Sequence, residues 1–160
     1  MNVCGKFEFV SLEQFKSVCE EKNYNALKLP KRATKYSAGY DFYSPFTFTL
    51  NPGETIKIPT GIRAKMREDY VLMLFPRSSL GFKYRLQLDN TVGIIDADYY
   101  NSDNEGHIFA KITNDSNENK VVKMKAGEGF MQGIFVEYGI TVDDDVIEVR
   151  NGGFGSTTKK

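Results

Sequence analysis

An aspartate at the end of an apolar run is the first residue whose position suggests chemistry. Asp96 follows two isoleucines in the segment Gly93–Tyr99, so we expect it to leave a buried strand rather than a surface loop. A carboxylate held there is a candidate general base for activating water. An Asp-x-Asp pattern alone carries little weight, because the chain has another at Asp143 and Asp145, which we interpret as a solvated turn.

Two further segments offer groups suited to nucleotides. Pro76–Gly81 follows an apolar run and presents Arg77, Ser78 and Ser79 before a predicted helical turn. Guanidinium and helix-terminal N–H groups bind phosphate oxygens, although paired serines are also ordinary helix caps. Asn90 stands near the tip of a predicted hairpin, where its amide can read a nucleobase edge; the alternative is a plain turn residue.

The last eleven residues, 150–160, differ from the rest of the chain. They place three glycines around Phe154, followed by Ser156 and Thr157, with no apolar period. Such a segment cannot order itself by burial, so we expect an arm that is mobile until a ligand binds. Closely spaced glycines let backbone N–H groups approach phosphates, and the alternative is a frayed terminus.

Strands are the main elements that must position these residues. One helix is predicted at 12–21, because Ser11 and Gln14 fit a capping box. After it the apolar period changes to two, and many short strands joined by Gly, Pro and Asn turns predict an all-β sandwich or barrel. We expect one domain over 1–149, followed by the arm 150–160. The predicted strands cover 46–50, 55–58, 62–67, 71–75, 108–113, 121–124 and 134–138.

Composition and charge exclude several classes of protein. The 160 residues include 21 basic and 21 acidic side chains, and a net charge of zero argues against bulk attraction to nucleic acid or membrane. Residues 1–80 carry 12 basic and 8 acidic side chains, a net of +4, whereas residues 81–160 carry 9 and 13, a net of −4. Two cysteines and a start without signal-peptide character predict a reducing, cytoplasmic setting. The zero net charge predicts no nucleic-acid or membrane partner.

Five separated segments form an ordered set along the chain: Ala38–Tyr43, Pro76–Gly81, Asn90–Tyr99, Gly127–Gln132 and Arg150–Thr157. In their content and order they resemble the motifs of trimeric dUTPases, the deoxyuridine triphosphate nucleotidohydrolases. The resemblance covers nearly the whole chain, and the stretch from Tyr99 to His107 most resembles forms from Gram-positive bacteria and their phages.

This resemblance implies a distorted β jelly-roll, the β-clip barrel of these enzymes, assembled as a homotrimer with shared active sites. It implies hydrolysis of dUTP to dUMP and pyrophosphate with Mg²⁺, which limits uracil in DNA and supplies dUMP for dTMP synthesis. Asp96 would activate water for attack on the α-phosphorus, and Tyr99 would pack under the deoxyribose. Asn90, Gly93 and the surrounding backbone would read uracil.

The resemblance assigns the phosphate groups to other subunits. Arg77, Ser78 and Ser79 would bind the phosphates from a second subunit, and Gln132 would also contact phosphate. Asp41 resembles the aspartate that orders the magnesium-bound waters or supports the neighbouring site.

The arm of a third subunit would complete the site. Phe154 would stack on the uracil, and the residues that would close over the phosphates are Arg150, Gly155, Ser156 and Thr157.

The chain departs from the family pattern at single residues and at one insertion. Gly129 stands where many members have arginine, and Thr158 stands where glycine is usual. A polar insertion, Asn101–Gly106, follows the two tyrosines. It is either a lengthened surface loop or a docking surface for another protein.

Two other functions stay open at this point. A dCTP deaminase-like enzyme shares the fold, but Lys111 stands where its catalytic glutamate is expected, and we interpret His107 as a strand or surface residue. The other is a regulatory protein that binds a partner on the same scaffold. Retention of Asp96, Arg77 and Asn90 argues against a loss of activity, but it leaves a second, binding function open.

Overall fold

Strands dominate residues 1–150, which the computed structural model describes. The helices there are short: α1 (Leu12–Lys16), α2 (Ser78–Tyr84) and 3₁₀ helices at Glu21–Ala26 and Ala97–Asn101. No helix in this range has the length and apolar character needed to cross a membrane. The strands are β1 (Gly5–Phe9), β2 (Lys31–Arg32), β3 (Tyr40–Tyr43), β4 (Phe48–Leu50), β5 (Thr55–Pro59), β6 (Ile62–Met66), β7 (Tyr70–Pro76), β8 (Leu86–Leu88), β9 (Gly93–Ile95), β10 (Phe109–Asn114), β11 (Val122–Met124) and β12 (Gly129–Glu137).

These strands form four antiparallel sheets. The largest has the order β2-β3-β12-β7-β9, a three-stranded sheet has the order β5-β10-β8, and β1-β6 and β4-β11 form pairs. The order is far from sequential, since β12 lies between β3 and β7 and so brings distant segments side by side. The predicted all-β fold class is confirmed.

One apolar core lies between the sheets and fixes the register of each strand. Alternate residues of β4, β8, β10 and β11 are buried, so a shift by one residue would expose the whole apolar set. The bulkiest fully buried side chains include Phe42, Ile58, Leu72, Ile112 and Phe130. The packed core therefore holds the strand ends in place, and the candidate polar residues lie at or next to these ends.

The N-terminal helix is shorter than the predicted 12–21. Ser11 caps it as expected, since Gln14 N donates to Ser11 Oγ at 3.1 Å. The helix ends because the Ser17 hydroxyl donates to Gln14 O at 2.6 Å and takes the carbonyl that the next turn needs. Val18 N bonds to Phe15 O instead, and a 3₁₀ helix follows at Glu21–Ala26.

The first strand, β1, was not predicted from the sequence. In β1 the burial is graded rather than alternating, because only part of the strand is covered by the core. Its partner β6 has the clear alternation that the sequence predicts. β1 is therefore recruited by tertiary pairing with β6, from Gly5 opposite Met66 to Phe9 opposite Ile62.

Candidate active site

Asp96 leaves the sheet directly after β9, as the sequence predicts. It occupies the N-cap position of the 3₁₀ helix Ala97–Asn101 without a side-chain capping bond, and its carboxylate is half-exposed. Arg150 binds both neighbouring acids, with Nη2 at 2.6 Å from Asp96 Oδ2 and Nε at 2.9 Å from Asp98 Oδ1. We call Asp96, Asp98 and Arg150 the Asp96 end. It borders a cavity of about 560 Å³, also lined by Lys65, Tyr100 and Tyr138.

Tyr99 lies three residues beyond Asp96 and is almost wholly buried. Its hydroxyl donates to His107 O at 2.6 Å and accepts from Asn104 Nδ2 at 2.9 Å. Burial raises the pKa of the Tyr99 phenol, while Asn104 and the charge of Arg150 act in the opposite direction. The phenol is therefore a neutral, fixed group with its hydroxyl turned inward.

His107 is buried and lies two residues before β10, so its interpretation as a strand or surface residue was wrong. Gly61 N donates to its Nε2 at 2.9 Å, and the Gln14 amide lies 3.3 Å from Nδ1. Burial lowers the pKa of His107 to about 4, although Glu105 opposes the shift. The sequence signal was weak, because one histidine before a strand has no characteristic spacing.

The segment around Asn90 is a tight turn that links two sheets, and the predicted hairpin was wrong. Thr91 N donates to Leu88 O at 2.8 Å, and Thr91 has a φ of +67°. The flanking strands do not pair with each other, since β8 pairs with β10 and β9 pairs with β7. Asn90 and Gly93 line a cavity of about 480 Å³ that is floored by Leu74, Leu88 and Met131 and edged by Lys57 and Lys111.

Asp41, Arg77 and Gln132 meet where β3, β12 and β7 lie side by side, and we call them the Arg77 end. Arg77 Nε lies 3.2 Å from Asp41 Oδ1, and Arg77 Nη1 donates to Gly129 O at 3.1 Å. Gln132 lies opposite Asp41 in the β12–β3 register, and its amide donates to Pro76 O at 3.1 Å. A Cβ on Gly39 would lie only 2.4 Å from Gln132 Oε1, so the Gln132 amide would have to shift to accommodate it.

The two serines that follow Arg77 begin helix α2. Ser78 is its first residue, and the N-cap position belongs to Arg77, which makes no side-chain capping bond. The alternative that the paired serines cap this helix is therefore wrong. Both serines are exposed, and they follow Arg77 directly in the chain.

Strand register separates the two ends within one chain. Leu74 of β7 lies opposite Gly93 of β9. Arg77 comes three residues after Leu74, and Asp96 comes three residues after Gly93. Because β7 and β9 are antiparallel, Arg77 and Asp96 lie in opposite directions from this pair. At ~3.3 Å per residue, about 20 Å of sheet lies between them. The structure thus brings Asp41, Arg77 and Gln132 together, and it brings Asp96 and Arg150 together, but it does not join the two sets.

The insertion Asn101–Gly106 is bound to its own chain. Ser11 N and Oγ donate to the two carboxylate oxygens of Glu105, at 2.8 and 2.5 Å. Burial raises the pKa of Glu105, but the bonds from Ser11 outweigh it and the net shift is downward. The loop thereby closes on helix α1, and docking of another protein to it stays a prediction.

Four predicted arm residues lie outside the described residues: Phe154, Gly155, Ser156 and Thr157. Within residues 1–150 no three His, Cys, Asp or Glu side chains are grouped closely enough to hold a metal ion.

Comparison with known proteins gives one consistent result. The statistical model of the dUTPase family matches residues 25–158. A deoxyuridine 5′-triphosphate nucleotidohydrolase of Lactococcus lactis is 42% identical over 151 residues, covering 92% of this chain and 99% of the relative. One from Haemophilus influenzae is 35% identical over 144 residues, covering 85% and 91%.

Solved structures agree with the sequence relatives. The crystal structure of dUTPase from Streptococcus mutans matches with a TM-score of 0.66 and 38% identity, covering 85% of this chain and 98% of that one. The dUTPase of Staphylococcus bacteriophage 80alpha shares the fold at 24% identity, with a TM-score of 0.67 and coverage of 95% and 96%. The predicted jelly-roll and the likeness to Gram-positive forms are confirmed, and this chain belongs to the dUTPase family.

Proposed function

We propose that this protein hydrolyses dUTP to dUMP and pyrophosphate. One observation carries the proposal: β9 has the Asn90–Gly93 cavity at one end and Asp96 at the other. Three residues of strand separate Gly93 from Asp96, or about 10 Å. That matches the reach of a nucleotide from its base to its α-phosphate.

Asp96 acts as the general base. Its carboxylate takes a proton from water, and the oxygen of that water forms a bond to the α-phosphorus. The bond from the α-phosphorus to the oxygen that bridges to the β-phosphate breaks, and pyrophosphate leaves with that electron pair. The half-exposed position of Asp96 after a rigid strand supports this role, because a base must reach both water and substrate.

The nucleoside is recognised by the Asn90 turn and by Tyr99. Asn90 and the backbone up to Gly93 read the polar edge of uracil above the apolar floor of the cavity. Tyr99 forms the wall beneath the deoxyribose and leaves no room for a 2′-hydroxyl. Phe154 of the arm stacks on the uracil from the other side.

The phosphates are bound by a second copy of the chain. The roughly 20 Å between Asp96 and Arg77 in one chain is too long for one triphosphate to reach both, so Arg77, Ser78, Ser79 and Gln132 come from a neighbour. Arg150 moves from Asp96 to the phosphates when the arm closes, together with Gly155, Ser156 and Thr157.

A homotrimer is also supported by the chain before the arm. Residues 139–149 form no strand or helix, and five of their apolar side chains are exposed. Exposed apolar groups in such a run are typical of an interaction surface. They are Ile140, Val142, Val146, Ile147 and Val149.

Magnesium fits this site as an ion carried by the triphosphate. Mg²⁺ keeps several waters and binds one or two carboxylates plus phosphate oxygens. Asp41 is the carboxylate placed beside Arg77, and it would hold the ion through water. When bound, the metal offsets the negative charge of the phosphates.

In the cell this reaction limits uracil in DNA and supplies dUMP. The dCTP deaminase alternative is disfavoured because Lys111 stands where the catalytic glutamate of that enzyme is expected, and a lysine cannot act as a carboxylate. Lys111 Nζ lies at the cavity rim, 3.6 Å from Asp89 Oδ2. A regulatory partner-binding role through the insertion remains compatible with catalysis.

A nucleotide panel tests the proposal. Pyrophosphate release is measured with dUTP, dCTP, dTTP and UTP at equal concentrations, with Mg²⁺ and after its chelation by EDTA. We expect fast release from dUTP alone and a large loss after chelation. Comparable rates on UTP or dTTP would contradict the specificity, and deamination of dCTP would favour the alternative enzyme.

A further inference from the structure

The inserted loop holds the tyrosine of the nucleoside site. Asn104 Nδ2 donates to Tyr99 Oη at 2.9 Å, while the same hydroxyl donates to His107 O at 2.6 Å. The phenol is thus held from two sides by residues 104 and 107, which are close in sequence. Tyr99 is almost wholly buried, so its bond to His107 O is shielded from water, and the bond from Asn104 is partly shielded.

Asn104 is itself held in place by the turn that it begins. Gly106 N donates to Asn104 Oδ1 at 3.2 Å, and His107 N donates to Asn104 O at 3.1 Å. Gly106 has a φ of +71°, and a Cβ there would lie 2.6 Å from Tyr100 Cα. The turn can press against the tyrosine backbone only because this residue is glycine.

The outer side of the loop is anchored to the N-terminal segment. Glu105 accepts two bonds from Ser11, and His107 lies between Gly61 N and the Gln14 amide. Residues 1–24 lie before the part of the chain that the family model matches. The support for Tyr99 is therefore built from the insertion and from a segment outside the matched part.

We propose that Asn104 is a positioning residue that sets the sugar specificity of the site by fixing the ring of Tyr99. The inference rests on the proposed function. A wall excludes a 2′-hydroxyl only if it does not yield by the size of that group, and small displacements at a site have large kinetic consequences. Asn104 touches no substrate and acts only through Tyr99.

The test compares deoxyribose with ribose substrates in Asn104→Ser. Serine keeps an oxygen for Gly106 N but is too short to reach Tyr99. We expect the ratio of kcat/KM for dUTP to kcat/KM for UTP to fall about tenfold, the scale of one buried hydrogen bond, mainly because UTP improves. A purely structural role would lower both values together and leave the ratio unchanged.

Asp103→Ser is the matched control, since Asp103 is exposed in the same loop and should keep the ratio. In a Tyr99→Phe background the Asn104→Ser change should have no further effect on the ratio. A ratio within twofold of the unmodified chain would overturn the inference. If Asn104→Ser does not fold, Asn104→Ala is compared by the same ratio, because it also removes the donor to Tyr99 and leaves the bond to His107 O in place.

Failure of the proposed function is separable from failure of this inference. If the unmodified chain does not hydrolyse dUTP, the proposed function is contradicted. Calorimetric affinities for dUDP and UDP then give the sugar preference without turnover, and the same fall in preference is expected for Asn104→Ser. Equal preference in both proteins would overturn the role of Asn104.

Discussion

At the Arg77 end one carboxylate faces one guanidinium on side chains that are partly buried, whereas at the Asp96 end two half-exposed carboxylates share one arginine. The first is neutral and the second carries a net negative charge, so neither end has the positive surplus that a triphosphate needs. Under the proposed function, both ends, the arm and a metal ion would be brought together around the substrate.

The largest expected effect is a loss of turnover when Asp96 is replaced. Asp96→Asn should retain nucleotide binding and lose turnover by about a hundredfold or more, the scale of general base catalysis. Steady-state pyrophosphate release and the affinity for a non-hydrolysable dUTP analogue measure the two quantities. Asp98→Asn is the matched control, because it removes the other carboxylate bound to Arg150, equally exposed. Equal losses in both variants would remove Asp96 from the role of base.

The next effect tests whether the two ends belong to different chains. Arg77→Ala should lower kcat/KM for dUTP about tenfold to a hundredfold, as expected for loss of a charged phosphate ligand. When Arg77→Ala and Asp96→Asn chains are unfolded together in equal amounts and refolded, about a quarter of the wild-type activity should return if the site is shared in a symmetric oligomer. Activity no higher than that of the separately refolded variants would place both ends in one chain.

The third effect is a pH dependence of the free energy of unfolding that comes from His107, which lies behind the Asp96 end. His107 is the only histidine, and burial lowers its pKa from the ordinary 6.5 to about 4. Below pH 6.5 the unfolded chain therefore binds a proton at the imidazole that the folded chain does not bind. The contribution of neutral His107 to the free energy of unfolding is fully present above pH 6.5 and is lost as the pH falls towards 4. Between pH 7 and 5 this contributes a loss on the order of 2 kcal/mol.

Urea unfolding at fixed protein concentration measures this loss. His107→Gln should be less stable at pH 7 but should lack the part of the pH dependence that comes from the imidazole. Protonation places a hydrogen on Nε2, where Gly61 N already donates. An identical pH dependence in both proteins would contradict the assignment to His107.

The smallest effect concerns the N-terminal anchor. Ser11→Ala removes the cap of α1 and one bond to Glu105, and it should lower the free energy of unfolding by about 1 kcal/mol. Ser17→Ala is the control, because it removes a helix-ending bond without touching the loop. A stability change in Ser11→Ala no larger than in the control would show that the anchor is dispensable.

Much of the fold was predictable because burial alternates along the strands. The alternation at 62–67 and the turn before β5 appear in the structure where the sequence placed them. The strand before Asp96 and the helix after Arg77 were also found as predicted. Local periodicity is decisive in such segments, since one face of each meets the core.

Other features could not be predicted, since they depend on partners distant in the chain. The Asn90 turn links two sheets because β8 finds β10 and β9 finds β7, and no local signal encodes that choice. Asn104 gains its role from Tyr99, and His107 from Gly61 and Gln14. A polar side chain in a loop has the same local signature whether it faces solvent or a buried phenol.

The sequence by itself determined the fold class and the candidate groups Asp96, Arg77 and Asn90, because side-chain chemistry and apolar period are local properties, and the family resemblance added Tyr99. Only the tertiary structure decided that Asp96 and Arg77 stand at opposite ends of the sheet, and that the insertion supports Tyr99. The physical reason is that strand register and buried hydrogen bonds are set by packing between distant segments, which a linear pattern does not contain.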